Sequence, residues 1–157
     1  MMMSVDVEGE YRRSVDALLR FATALVGPAD ALDVVSEVVT ATVGAGRLAE
    51  VDDVRAYWFR AVANRSASWH RSTQRRRQRE RRAASGGDPG AALGADDARA
   101  LLAPLTAQQR AVVYLAYWHD WDIARIASTL HVSDGTVRKQ LARARAHLRE
   151  VMHDERR

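Results

Sequence analysis

Asp122-Ile123-Ala124-Arg125-Ile126-Ala127-Ser128-Thr129-Leu130-His131-Val132-Ser133-Asp134-Gly135-Thr136-Val137-Arg138-Lys139-Gln140-Leu141-Ala142-Arg143 is the stretch on which the fold turns. Ile123, Ile126, Ala127 and Leu130 recur at three- and four-residue spacing, which predicts a short helix with Asp122 as its N-cap. His131-Val132-Ser133 interrupts it. From Asp134 onward Val137, Leu141, Ala144, Leu148 and Val151 form a second apolar stripe, while Arg138, Lys139, Arg143, Arg145 and Arg149 face away. A small residue at 127, a turn at 131 and an apolar anchor at 137 give the register of a helix-turn-helix, with Ala127 where the two helices cross. Ser133 is placed to cap the second helix and leave its first amides for a phosphate. In this motif the second helix enters the major groove, N-terminal residues first. Ser133, Thr136, Arg138, Lys139 and Arg143 are therefore the expected base and phosphate contacts. The rival reading is an amphipathic hairpin with a solvated arginine face. The turn more often carries glycine, so His131 implies a positive φ on a non-glycine residue.

Working outward, Thr106–Tyr117 and Asp96–Ala103 read as two further helices separated at Pro104, and residues 83–95 (AASGGDPGAALGA) as a flexible linker. Before the linker the pattern is again helical. From Glu10 to Val26 an apolar stripe runs through Val15, Leu18, Leu19, Ala22, Leu25 and Val26. Gly27-Pro28 ends that helix and starts the next, since glycine suits a C-terminal cap and proline a first turn. The second helix extends to about Val43 with Leu32, Val35, Val38 and Val39 inward, and Gly44-Ala45-Gly46 breaks it. On it Asp30, Asp33 and Glu37 form an acidic stripe. Asp52 is the expected cap of a third helix carrying Trp58, Val62 and Trp69 on one side and continuing into the arginines up to Arg82, unless these form a disordered basic tail. The fold class is all-α: two small helical domains, residues 10–82 and 96–152, joined by a flexible linker.

Charge is distributed unevenly along the 157 residues. Residues 1–53 carry ten acids and four bases, residues 54–84 ten arginines against Glu80, and the whole chain sums to +4. Such asymmetry suggests two kinds of partner surface. There is no cysteine, which removes disulfides, thiolate metal sites and cysteine nucleophiles together. No apolar run approaches the roughly 18 residues needed to cross a bilayer, and Met1-Met2-Met3-Ser4-Val5-Asp6 lacks the order of a signal peptide. The expected location is the cytoplasm. The five histidines show no metal-protease spacing, and neither a P-loop nor a dinucleotide fingerprint is present. An enzyme is not expected, nor are a catalytic residue, a metal or a cofactor.

Leu101-Leu102-Ala103-Pro104-Leu105-Thr106-Ala107-Gln108-Gln109-Arg110, followed by Val112-Val113-Tyr114-Leu115, resembles the L-x-x-L-P-x-x-x-R-x-V-x-x-L entry to region four of extracytoplasmic-function (ECF) sigma factors. Pro104 and Leu105 are swapped relative to the usual order. Gly135-Thr136-Val137-Arg138 and the run from Leu141 to Arg149 are similar to that region's G-T-V-(K/R) and L-x-R-A-R-x-x-L-R. Ala31-Leu32-Asp33-Val34-Val35-Ser36-Glu37 resembles the region-two A-E-D-L-V-Q-E, and Tyr57-Trp58-Phe59-Arg60-Ala61-Val62-Ala63-Asn64-Arg65 its W-L-x-x-I-A-R-N. Leu32 and Ser36 replace polar motif residues, and Ser68 stands where the family often has aspartate.

The resemblance implies a factor that binds core RNA polymerase and directs it to promoters through −10 and −35 elements. It implies that Asp30, Asp33 and Glu37 contact the β′ coiled coil, that region four meets the β flap and reads the −35 element, and that an anti-sigma factor is a further partner. The loop at about 44–53 and the start of the next helix would capture a flipped −10 base, with Asn64, Arg65, Arg71 and Arg75–Arg77 tracking phosphates. Simpler readings stand beside these. Trp58 and Trp69 suit a core, Trp118 and Trp121 the hinge between two region-four helices, and the acidic stripe an ordinary solvated face. The alternative functions are a sigma-like adaptor, or a helix-turn-helix regulator without initiation activity; a regulator would need a sensor domain, normally α/β, and the N-terminal half shows no strand pattern.

Overall fold

A computed structural model describes residues 6–83, 102 and 104–154. The described residues form helices α1 (Val7–Val26), α2 (Pro28–Gly44), α3 (Val54–Ala83), α4 (Ala107–Tyr117), α5 (Ile123–Leu130) and α6 (Asp134–Asp154), with a 3₁₀ turn at Arg47–Glu50. The expected linker, apart from Ala83, and most of the helix expected at 96–103 lie outside the described residues. No strand occurs among those described.

Each helix starts where the local chemistry directs. Asp6 caps α1 by accepting from the Gly9 amide, which places the start three residues before the expected Glu10. Gly27 joins α1 to α2 at φ 94, a conformation open to glycine, and its amide closes on the Thr23 carbonyl. Asp53, not Asp52, caps α3: its carboxylate accepts from the Ala56 amide at 2.9 Å. Thr106 and Gln109 form a capping box at α4, each side chain accepting from the other's amide.

α1, α2 and α3 bury Leu18, Phe21, Ala22, Leu25, Ala31, Val34, Val35, Val38, Trp58, Phe59 and Val62 together. Trp58 is fully buried and donates to the Thr42 hydroxyl at 3.0 Å, so its one polar atom is satisfied in the core. Leu32, expected inward, is instead 61% exposed. The buried set Ala31, Val34, Val35, Val38 and Thr42 defines the inward stripe, and one residue along a helix turns about 100°, enough to carry Leu32 off it.

α3 is one helix of 30 residues, about 45 Å long, so its arginine-rich end is helical rather than a disordered tail. Arg and Gln are good helix formers, and no Gly or Pro interrupts the run. Among the α3 residues whose burial is described, Ser66 is the last buried one, and Arg71, Arg75, Arg76, Arg79 and Arg82 are exposed.

α4, α5 and α6 bury Val112, Val113, Leu115, Ile126, Ala127, Val137, Leu141 and Ala144. The two helical halves then pack on each other, α1 and α3 against α4 and α5. Phe21 and Phe59 of the first half meet Tyr114 and Trp121 of the second at 5.5 and 5.3 Å between ring centroids. Trp121 is buried as expected, but it fills this seam as well as the bend before α5. Trp118, expected beside it, is 54% exposed and stacks on Tyr114 with rings 4° from parallel.

Candidate nucleic-acid interface

α5 and α6 are joined by a three-residue turn in which every backbone feature has a cause. The Asp122 carboxylate accepts from the Arg125 amide at 2.8 Å, fixing the start of α5. His131 ends it in the left-handed region, φ 55 and ψ 46, as its place in the turn implies. The Val132 amide then reaches back to the Ala127 carbonyl at 3.0 Å, closing the helix end. Ser133 accepts from the Thr136 amide at 3.1 Å and shares a hydrogen bond with the Thr136 hydroxyl, so α6 begins capped. Ala127 and Val137 are both buried where the helices meet.

This packing leaves one face of α6 to solvent. Ser133, Arg138, Lys139 and Arg143 are exposed, and Thr136 is half-buried. The three cations carry no ion pair to any described residue, so their charge is available to an anion. Further along, Arg145 donates to the Tyr117 hydroxyl at 2.8 Å and is held across to α4. Gln140 donates to Gln108 at 3.1 Å, also fixing α6 on α4.

The expected −10 residues lie on α3 in two environments. Asn64, Arg71 and Arg75 are exposed on its outer surface. Arg65 is not: its guanidinium pairs with Glu37 on α2 at 2.9 Å and lies 5.3 Å from the centre of the Trp69 ring. One residue expected to meet DNA thus holds one expected to meet polymerase. Asp33 is exposed and Asp30 half-buried, so the acidic stripe faces outward with its last member engaged. Trp69 is half-buried as the platform under Arg65.

The turn and cap before α3 face the helix-turn-helix across a cleft of about 280 Å³. Asp53, Tyr57 and Arg60 line one side, and Ser128, Thr129 and His131 the other. Arg60 bridges it, with its Nη1 3.2 Å from His131 Nδ1 and also against Nε2.

Two residues of this junction were missed in the sequence. Arg110 is buried, and its guanidinium donates to the Leu105 carbonyl at 3.0 Å and to the Leu25 carbonyl at 2.9 Å, the latter at the C-terminal end of α1. A cation suits carbonyls that a helix end leaves unpaired. Its place in the quoted R-x-V pattern was the available signal. His119 touches Phe59, Tyr114 and Trp121 at 5.2 to 5.7 Å between centroids. Burial first, then the guanidiniums of Arg55, Arg125 and Arg20, hold its pKa below the ordinary value. Tyr114 beside it is pushed up by burial, an effect Arg20 partly offsets. No local pattern marked His119.

Among the described residues no three metal-ligating side chains come together, and no helix is long and apolar enough to cross a membrane.

A capped helix-turn-helix with an exposed basic face, attached to a helical half that ends in exposed arginines, defines a helical DNA-binding protein. Residues 95–148 match the family model described as Sigma-70, region 4. The RNA polymerase sigma-E factor of Streptomyces coelicolor is 34% identical over 155 residues, an alignment spanning 94% of this chain and 86% of that protein. The sigma-E factor of Streptomyces antibioticus is 33% identical over 158 residues, spanning 94% and 85%. A solved structure, the sigma factor RpoE in complex with the anti-sigma factor NepR from Bartonella quintana, matches with a TM-score of 0.68 at 23% identity, covering 96% of this chain and 98% of that one; it supports the fold. The chain belongs to the RNA polymerase sigma factors, in their extracytoplasmic-function group, a family of non-catalytic factors of transcription initiation.

Proposed function

We propose that this chain binds core RNA polymerase and recruits it to promoters whose −35 element is read by α6 and whose −10 element is captured by α3 and the turn before it. The observation that carries this is the exposed basic face of α6 at Arg138, Lys139 and Arg143, presented by a helix whose start is fixed by Ser133. Thr136, Arg138 and Lys139 sit in the first turns, the part of a recognition helix that reaches base edges; Arg143 lies two turns on, where phosphates are nearer. Asn64, Arg71 and Arg75 supply a phosphate track along α3, and the surface of Asp53, Tyr57 and Arg60 at the start of α3 is the place for an unstacked base. On the polymerase side, Asp30 and Asp33 present an acidic surface to the β′ coiled coil, and region four docks on the β flap. The domains of this reading are residues 10–82 and 96–152, with 83–95 as the linker between them. The protein works in the cytoplasm without a cofactor, and a partner of the anti-sigma kind, as in the NepR complex, is expected.

A second reading is favoured by one contact. Glu37 is held by Arg65, and Leu32 and Ser36 are exposed where the family motif is polar. A sigma-like adaptor with reduced polymerase affinity fits that surface. Pull-down with core polymerase followed by run-off transcription on genomic fragments decides. Specific transcripts that require the added chain support initiation. Tight binding to DNA by the chain alone, with no polymerase affinity, overturns it.

A further inference from the structure

The seam between the two halves contains a titratable group placed among cations. His119 lies in the bend between α4 and α5, in ring contact with Phe59 of α3, Tyr114 of α4 and Trp121. From α1 it faces Arg20, from α3 Arg55 and from α5 Arg125. Two of the three rings that His119 touches already receive a cation: Arg125 lies 4.2 Å from the Trp121 ring centre and Arg55 5.8 Å from that of Phe59. The half-buried imidazole is thus compatible with this packing in its neutral form.

We propose that His119 is an acid-sensitive gate on the seam: neutral, it lets the helix-turn-helix close over the turn before α3, and protonated, it drives the two halves apart. Closure matters because Ser128, Thr129 and His131 then stand opposite Asp53, Tyr57 and Arg60, the surface assigned above to the −10 base; this consequence rests on that assignment. His131 stands apart from this cluster, against Arg60 in the cleft that Asp53 also lines.

The direction of the effect follows from linkage. The closed state lowers the His119 pKa from its ordinary 6.5, so the open state binds the proton more readily. The closed form therefore keeps its full advantage above that ordinary value. It loses it as pH falls through 6.5 toward the lowered pKa, by up to about tenfold in the closed-to-open ratio per pH unit.

The absence of cysteine allows a clean distance measurement on the full chain. Asp16→Cys in α1 and Glu150→Cys in α6, both at exposed positions, take a donor and acceptor dye. Between about pH 7.5 and about pH 5.5 the dye separation should increase while the far-ultraviolet helix signal stays constant. His119→Phe and His119→Asn, which cannot be charged, should stay closed throughout, and His119→Arg should be open at the higher pH. An acid response in both neutral variants equal to that of the parent overturns the gate, as does opening accompanied by loss of helix. A second readout, affinity for a fluorescent single strand of roughly 20 nucleotides at the higher pH, tests the covered surface. If His119→Arg opens without binding that strand more tightly, the gate stands and the −10 assignment falls.

Discussion

The helix-turn-helix and the α2–α3 face both carry charges expected to meet a partner, but they hold them differently. In the first, each cap and turn fixes the backbone, and Arg138, Lys139 and Arg143 on α6 are exposed with no ion pair to any described residue. In the second, an acid and a base on neighbouring helices neutralise each other, Glu37 with Arg65, before any partner arrives. A motif that needs only local geometry is complete in the free chain. A surface built from two helices can spend its charges internally, and its partner must then compete with that pair. The difference predicts that DNA reading by region four tolerates loss of the N-terminal half better than polymerase docking tolerates changes at the α2–α3 contact.

The largest expected effect tests whether the halves are independent. Trp58→Ala removes a fully buried indole and the hydrogen bond it donates to the Thr42 hydroxyl, at a cost of about 3–5 kcal/mol. Calorimetry should show the first half melting far earlier. If the seam through Phe21, Phe59, Tyr114 and Trp121 couples the halves, the second half's transition moves down with it. Two transitions with only one displaced would mean that the seam contributes little.

Next in size are substitutions on the recognition helix. A residue that reads a base edge costs about 1–3 kcal/mol in affinity for its promoter, and about tenfold accompanies each 1.4 kcal/mol. Arg138→Ala and Lys139→Ala should lose affinity in a sequence-dependent way in gel-shift assays with polymerase holoenzyme. Arg143→Ala should weaken all sequences alike and reduce the salt slope by about 1, the signature of a phosphate contact. Base-specific loss at Arg143 with uniform loss at Arg138 would reverse the assignment along α6.

The cap of α5 comes third. Asp122→Ala should lower stability by about 1 kcal/mol in a denaturant melt, because the Arg125 amide loses its acceptor. Asp53→Ala tests the same chemistry at α3, where the amide is that of Ala56. A similar cost at both would show that the halves differ in how they present charge and not in how their helices begin.

How far the sequence was legible follows the same division. Asp122, Ala127, His131, Ser133 and Val137 stand where spacing placed them, even to the positive φ of His131, because capping and turn geometry involve neighbours within a few residues. The apolar stripes were legible in kind but not in phase: Leu32 was placed inward, and only packing against α1 and α3 selects the stripe through Ala31, Val34 and Val38. Asp52 and Asp53 are adjacent equivalents to a sequence reader, and the cap is decided by where α3 starts. Trp118 reads as a core residue by type yet lies over Tyr114 at the surface. The pairing of Glu37 with Arg65, the Arg110 tie to Leu25 and the aromatic seam around His119 were not legible, since each joins residues far apart in the chain.

The smallest effect on stability bears most directly on the comparison. Glu37 is 51% exposed and its pair with Arg65 is near the surface, so Glu37→Gln should change the melting free energy by no more than about 1 kcal/mol. Its effect on partners depends on which role the residue has. If Glu37 reaches the β′ coiled coil directly, Glu37→Gln and Arg65→Gln have opposite signs: the first weakens polymerase binding, while the second releases the carboxylate and strengthens it. If Glu37 only positions Arg65, both weaken binding to promoter DNA in the holoenzyme and leave polymerase affinity unchanged. The double variant separates the cases, because two residues acting through one contact give less than the sum of their single effects. Additive losses in polymerase affinity would show that the pair is incidental and that the acidic stripe works through Asp30 and Asp33 alone.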